Sequence, residues 1–194
     1  EGASKVLQKV RISGGGRCNL TNACWEIPNL INNYPRGEKE LIGLFNRFST
    51  IEAFDWFEKQ GLSLKVERDG RVFPVSDSSE DVIKCLTDAA EKYGVKVFTN
   101  CHVQQISNTN ECFNLLVKGK NIFKAKNIII CSGGHPSGRR LAKSLGHSIV
   151  KPVPSLFSFA TSEKSLRSLY GITLDVQVKL IINNKKYSET GPIL

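Results

Sequence analysis

The stretch that most constrains this 194-residue chain runs from Ile12 to Asn22 and reads Ile-Ser-Gly-Gly-Gly-Arg-Cys-Asn-Leu-Thr-Asn. Gly14, Gly15 and Gly16 remove every Cβ from one turn of backbone, which permits positive φ and lets N–H groups approach an anion closely. Arg17 follows at once with a planar fork suited to phosphate oxygens. Ser13 and Cys18 flank the turn, and Asn19, Thr21 and Asn22 add uncharged donors and acceptors. The segment reads as a surface for a large phosphorylated ligand. A bare glycine triplet serves equally well as a mobile turn; the continuation Arg-Cys-Asn-Leu-Thr-Asn is what makes the pattern specific.

Composition narrows the class. Apolar residues make up 40% and charged residues 23% of the chain, the balance of a soluble globular protein forming one large domain or parts of two. There is no apolar run of membrane-spanning length and no signal peptide, so a cytoplasmic protein without a membrane partner is expected. The net charge of +9 comes from lysines scattered along the sequence, which reads as a solvated surface rather than a nucleic-acid face. Cysteines 18, 24, 85, 101, 112 and 131 form no Cys-x-x-Cys pair and no zinc-like spacing with histidine. Free thiols in a reducing compartment, and no metal, are the expectation.

Periodicity places the motif among alternating elements. Residues 37–61 read as two short helices, with Leu41, Leu44, Phe45 and Phe48, then Phe54, Trp56 and Phe57, as core positions. Leu62–Glu67 and Gly70–Val75 read as a hairpin. Ser76–Gly94 is the clearest helix, capped by Ser78 or Ser79 and stopped by Gly94, with Val82, Ile83, Leu86, Ala89 and Ala90 on its apolar face. Val95–Thr99, Val103–Ser107, Phe113–Val117 and Ile122–Ala125 follow as strands. Asn127–Cys131 has the continuous apolar character of a buried parallel strand. It breaks into Ser132, Gly133 and Gly134, a strand-end geometry that marks ligand sites in α/β sheets. Pro136 opens a helix that Gly146 stops. Beyond Leu156 the pattern turns to strands at Phe157–Thr161, Leu174–Ile182 and Lys185–Glu189.

The Ile12–Asn22 segment resembles the signature of the HI0933-like flavoproteins, bacterial FAD-dependent oxidoreductases. Gly70-Arg71-Val72-Phe73-Pro74-Val75-Ser76, Cys131-Ser132-Gly133-Gly134-His135-Pro136, and Leu145–Ile149 leading to Pro152–Leu156 are similar to further stretches of that family, in the same order. The resemblance implies an α/β fold: an FAD-binding Rossmann-like domain of the two-dinucleotide-binding type over residues 1–153, lacking its first strand and Gly-x-Gly-x-x-Gly turn, and the start of an inserted β-rich substrate domain over 154–194. It implies an interior piece of a longer protein, with Glu1–Lys5 ending the second strand.

By the same resemblance Glu1 meets the adenosine ribose and Val103 lends backbone groups to adenine. Gly14, Gly15, Gly16 and Arg17 run along the pyrophosphate and ribityl chain, and Asn19, Thr21 and Asn22 reach toward the flavin. Lys9 occupies a basic family position, and Ser132, Gly133 and Gly134 pass beneath the cofactor. Each has a plainer reading, Glu1 as a solvated acid, Val103 as core, and the Gly133–Gly134 pair as a strand-end turn. His135 is a candidate acid or base near the flavin, or a surface residue. The implied activity is hydride transfer with NAD(P)H as electron donor and a small-molecule substrate. Family relatives of aminoacetone-oxidase-like and bile-acid-reductase-like kind show that the scaffold does not fix the reaction. The alternative is a flavoprotein acting on RNA, for which Lys118, Lys120, Lys124 and Lys126 around Phe123 form the best basic cluster.

Overall fold

In the computed structural model, α1 (Gln8–Ile12) feeds directly into a tight glycine turn over Ser13–Gly16, and β1 (Thr21–Asn22) follows. The chain continues through α2 (Ile27–Ile31), α3 (Glu38–Phe45), α4 (Thr50–Lys59), the hairpin strands β2 (Leu64–Val66) and β3 (Arg71–Pro74), and α5 (Ser79–Lys92). A meander of β4 (Val103–Asn108), β5 (Phe113–Val117) and β6 (Phe123–Ala125) precedes α6 (Pro136–Ser144). Then come α7 (Lys164–Arg167), β7 (Leu174–Ile182) and β8 (Lys185–Ile193). The structure describes residues 1–109, 111–119, 122–153, 160–168 and 174–193. It separates into two compact units, Glu1–Ile149 and Val150–Leu194.

The first sheet has the order β1-β3-β2, all antiparallel, with Thr21 opposite Val72 and Leu64 opposite Pro74. Its central strand, β3, buries Val72, Phe73 and Pro74 in succession. Three consecutive buried residues on a pleated strand require cover on both faces. The Ser13–Asn22 segment and α5 supply much of that cover, and Cys18, Leu62 and Val82 form the buried cluster between them. Helix α5 matches its sequence pattern: Ser78 accepts a hydrogen bond from the Glu80 amide at 3.3 Å, acidic Glu80 and Asp81 occupy the first turn, and Val82, Ile83 and Ala89 are buried. Gly94 at φ +68° then ends it, with the Val95 amide reaching back to the Ala90 carbonyl at 2.8 Å.

Helix α4 is fixed by a capping box that pattern reading did not single out. Ser49 Oγ accepts from the Ile51 amide at 3.3 Å, and Glu52 accepts from the Ser49 amide at 2.6 Å. Ser49→Ala is expected to cost about 1 kcal/mol. The Ser49 hydroxyl, and then the Ser49 amide, hold the Glu52 carboxyl below its ordinary range. A depressed carboxylate stabilises the fold above its unfolded pKa of about 4, and that contribution fades as pH falls through the folded value. Urea midpoints should therefore separate wild type from Ser49→Ala fully at neutral pH and less below about pH 4.

Several sequence expectations change. Val95–Thr99 and Asn127–Cys131 are not strands, and every strand pair among the described residues is antiparallel. An apolar run becomes a buried parallel strand only between neighbours that take its ladder hydrogen bonds. No described strand pairs with 127–131, and Ile129 is accordingly 87% exposed. Glu1–Lys5 is likewise irregular, although it lies beside 98–101: the Cys101 amide donates to the Glu1 carbonyl at 2.8 Å and the Asn100 amide to the Ala3 carbonyl at 2.9 Å. Leu44 and Phe48, expected in the core, are exposed. Helix α3 meets α2 and the residues after it along one side, where Tyr34 and Phe45 stack at 5.6 Å, and its other side is left to solvent.

In the second unit β7 and β8 pair across Asn183 and Asn184, both at positive φ (48° and 64°), the geometry of a tight hairpin turn. β8 runs past the expected Glu189 to Ile193. The expected Phe157–Thr161 strand lies mostly outside the described residues, as does most of the Pro152–Leu156 stretch and Lys120 of the basic cluster.

Candidate cofactor site

Local chemistry explains the shape of the glycine loop. Three successive glycines take φ values of +55°, +68° and +86°, a run that residues with a Cβ resist at about 1–2 kcal/mol each. The loop closes on itself, with the Cys18 amide donating to the Ser13 carbonyl at 3.0 Å and the Arg17 amide to the Gly14 carbonyl at 3.3 Å. Cys18 is itself left-handed at φ +59°, and the residue is buried, 5% exposed. Ser13 Oγ donates to the Val10 carbonyl at 2.8 Å, tying the loop to α1.

The three glycines are not equivalent. A Cβ on Gly14 would lie 2.8 Å from the Asn19 backbone nitrogen and 3.1 Å from the Phe73 ring, whereas one on Gly15 would meet nothing within 4 Å. Gly14 therefore packs the loop down onto β3, and Gly15 faces open space.

Beyond the loop the chain is stitched to the β2–β3 hairpin. The Leu20 amide donates to the Val72 carbonyl at 2.9 Å and the Ala23 amide to the Gly70 carbonyl at 2.7 Å. The Asn19 amide group bonds the Val72 backbone at 3.3 Å. Asn22 folds over the Gly70 turn, where a Cβ on Gly70 would come within 3.1 Å of Asn22 Oδ1. Thr21 sits in β1 opposite Val72.

Sequence reading did not anticipate the ionic partners of Arg17. Its Nε donates to Asp77 Oδ1 at 2.9 Å, its Nη2 donates to Glu67 Oε1, and its guanidinium carbon stands 3.8 Å from the Phe73 ring centroid. Glu67 also accepts from Arg71 at 3.1 Å, and Asp77 accepts from Lys65. The Lys65 ammonium, then the Arg17 guanidinium, hold the Asp77 carboxyl below its usual range, and the Glu67 carboxylate foremost raises the pKa of Arg17. No local pattern pairs Arg17 with Glu67 and Asp77, which lie 50 and 60 residues further along the chain.

Lys9 and the Ser132–Gly134 turn come together: a Cβ on Gly133, at φ +57°, would lie 3.4 Å from Lys9 Nζ. Lys9 lies on α1, the helix that leads directly into the glycine loop. Helix α6 starts just beyond the Ser132–Gly134 turn, with no acidic residue in its first turn. His135 caps it, its Nδ1 accepting from the Ser137 amide at 3.2 Å and lying 2.7 Å from Ser137 Oγ.

Gly138 was missed as well. A Cβ there would fall on Ser132 Oγ, 2.9 Å from Ser132 Cβ and 3.1 Å from Ile130 Cγ2, so α6 packs at Gly138 directly against the Ser132 and Ile130 side chains. Gly138→Ala should push these apart. Amide exchange at His135, whose N–H donates to the Ser132 carbonyl at 3.3 Å, would rise, while the distant Ser49 cap would be unaffected.

Glu1 and Val103 belong to a different cluster. Glu1 Oε1 accepts from the Ala3 amide at 2.9 Å, and the Glu1 backbone bonds Phe98 and Cys101. Val103 pairs with Val117 at the head of β4, next to a β-bulge.

These features fit FAD. Gly15 presents backbone with positive φ to open space, a Cβ on Gly16 would turn back toward the Arg11 carbonyl oxygen at 4.0 Å, and Lys9 adds a cation beside the second glycine turn. Gly14, Gly15, Gly16, Lys9, Gly133 and Gly134 are the residues that could hold a pyrophosphate-bearing ligand. No group of acidic, histidine and cysteine side chains among the described residues could hold a metal ion.

The HI0933-like protein Rossmann domain matches residues 1–188. The chain belongs to that family. Three relatives give the HI0933-like match a chemical context. A ribosomal RNA dihydrouridine synthase of Haemophilus influenzae is 24% identical over 202 residues, covering 97% of this chain and 49% of the relative. A 3-dehydro-bile acid delta(4,6)-reductase of Clostridium scindens is 25% identical over 197 residues, covering 97% and 47%. A ribosomal RNA dihydrouridine synthase of Escherichia coli is 25% identical over 177 residues, covering 87% and 43%. The chain thus spans about half the length of the curated relatives it matches. Family membership makes the fold α/β of Rossmann type, and among the described residues no helix is long and apolar enough to cross a membrane.

Proposed function

We propose that this chain is the FAD-handling part of a flavin-dependent reductase that saturates a carbon–carbon double bond conjugated to a carbonyl. The observation that carries the cofactor is the Ser13–Cys18 loop: three left-handed glycines, the middle one open, anchored on β3. The reaction class is supported by what the relatives' names share. A delta(4,6)-reductase of a 3-dehydro steroid acid and a dihydrouridine synthase act on dissimilar molecules. In both, the bond reduced is in conjugation with a carbonyl, so hydride adds at the carbon of that bond farther from the carbonyl and a proton at the nearer one. FAD, when bound, supplies the two-electron hydride chemistry, and NAD(P)H is the proposed source of those electrons.

This chain's own residues bind and orient. The loop amides at Gly14–Gly16 take phosphate oxygens, Lys9 adds positive charge, and the Ser132–Gly134 turn allows close approach of backbone. The substrate is a small conjugated ketone or amide, and the protein works in the cytoplasm. Anaerobic mixing with NADH or NADPH should bleach the flavin bands, and a conjugated enone should restore them. Bleaching that only oxygen reverses, across a panel of enones and uridine-containing RNA, would contradict the reductase reading.

A second reading keeps the chemistry and changes the substrate to a uracil in RNA. It is favoured by the names of two relatives and by exposed Lys118, Lys124 and Lys126 on the β5–β6 hairpin. Filter binding of ribosomal RNA at two salt concentrations separates the readings, since phosphate contacts produce steep salt dependence.

A further inference from the structure

We propose that Arg17 is a positioning residue, a clamp that holds the triglycine loop in its left-handed form, rather than a direct phosphate ligand. It rests on the cofactor reading above for its consequence, and on geometry for its substance. Phosphate recognition by arginine uses the edge of the planar fork. Here the side-on Nε–Nη2 edge is committed, to Asp77 and Glu67, and one face of the plane lies on Phe73, so only the end-on edge could turn to a ligand while the clamp is closed. The two carboxylates come from different elements: Glu67 from the turn of the β2–β3 hairpin, Asp77 from the turn before α5, itself left-handed at φ +55°.

Arg17 thus fastens the loop to two supports and to the ring beneath it. The supports are braced in turn, Glu67 by Arg71 and Asp77 by Lys65. Only a planar, two-donor cation can span that arrangement; a lysine ammonium carries the charge without the fork. The open backbone at Gly15, not the guanidinium, is left to face the phosphates.

The two roles predict opposite signs for the same substitution. If Arg17 were a phosphate ligand, Glu67→Gln or Asp77→Asn would free it and remove a negative charge nearby, and FAD would bind more tightly. As a clamp, either substitution loosens the loop, and FAD should bind about tenfold more weakly or worse, the scale set by losing a charge-assisted hydrogen bond. In an Arg17→Ala background neither substitution should weaken binding further, and Arg17→Lys should not rescue. The readouts are FAD titration by flavin fluorescence, and hydrogen exchange on the cofactor-free protein. Exchange should rise at the Arg17 and Cys18 amides in each variant while Ala23 stays protected. Unchanged or tighter FAD binding in Glu67→Gln and Asp77→Asn would overturn the clamp. If the wild type took up no FAD, the cofactor reading would fall, and the exchange data alone would decide: unaltered loop protection in Arg17→Ala would overturn the clamp as well.

Discussion

Phe73→Ala is expected to destabilise the protein by about 3–5 kcal/mol, the usual cost of deleting a buried aromatic ring. Phe73 is 1% exposed in the central strand of the first sheet. Its ring carries Arg17 at 3.8 Å, with Arg71 at 5.4 Å, and it touches the space a Cβ on Gly14 would occupy. Against a total stability of about 5–15 kcal/mol this is a large fraction, and the loss falls under the glycine loop. Urea denaturation would show a much lower midpoint, and Phe73→Leu, which keeps most of the volume, would lose less. A cost below about 1 kcal/mol for Phe73→Ala would mean the ring is not the floor of the loop.

Gly14→Ala and Gly15→Ala should separate folding from binding. At Gly14 the new methyl meets both a left-handed φ and the Asn19 backbone at 2.8 Å. The conformational penalty alone is about 1–2 kcal/mol, and the clash with main chain forces the loop off β3, so both stability and FAD retention should fall. At Gly15 only the conformational penalty applies to the free protein, because nothing lies within 4 Å. Its methyl projects into the space a ligand would fill, so FAD binding should drop further than the melting temperature predicts. Thermal melts without FAD, set beside FAD titrations, give both quantities. Equal melting losses in the two variants would contradict the packing difference.

Local signals carried much of the first unit. The Ser78 cap, the Val82–Ala90 stripe and Gly94 define α5 because each is a short-range preference that tertiary packing reinforced. The hairpin around Gly70 was readable for the same reason. Asn127–Cys131 misled because an apolar run declares a wish to be buried and does not name its partners; the missing ladder is a long-range fact. Of the site, the glycine loop was legible because three consecutive residues without a Cβ have few uses. The Arg17 clamp was not, since Glu67 and Asp77 lie 50 and 60 residues away, and no periodicity links them to the loop. Gly138 escaped because a single glycine in a first helical turn looks unremarkable until Ser132 is seen against it.

The visible absorption spectrum of the purified protein tests most directly the proposal that the Ser13–Cys18 loop holds FAD. Flavin bands, either as isolated or after reconstitution with FAD, should be retained by the wild type on gel filtration and lost by Gly14→Ala. A wild-type protein that stays colourless after FAD is added would contradict it.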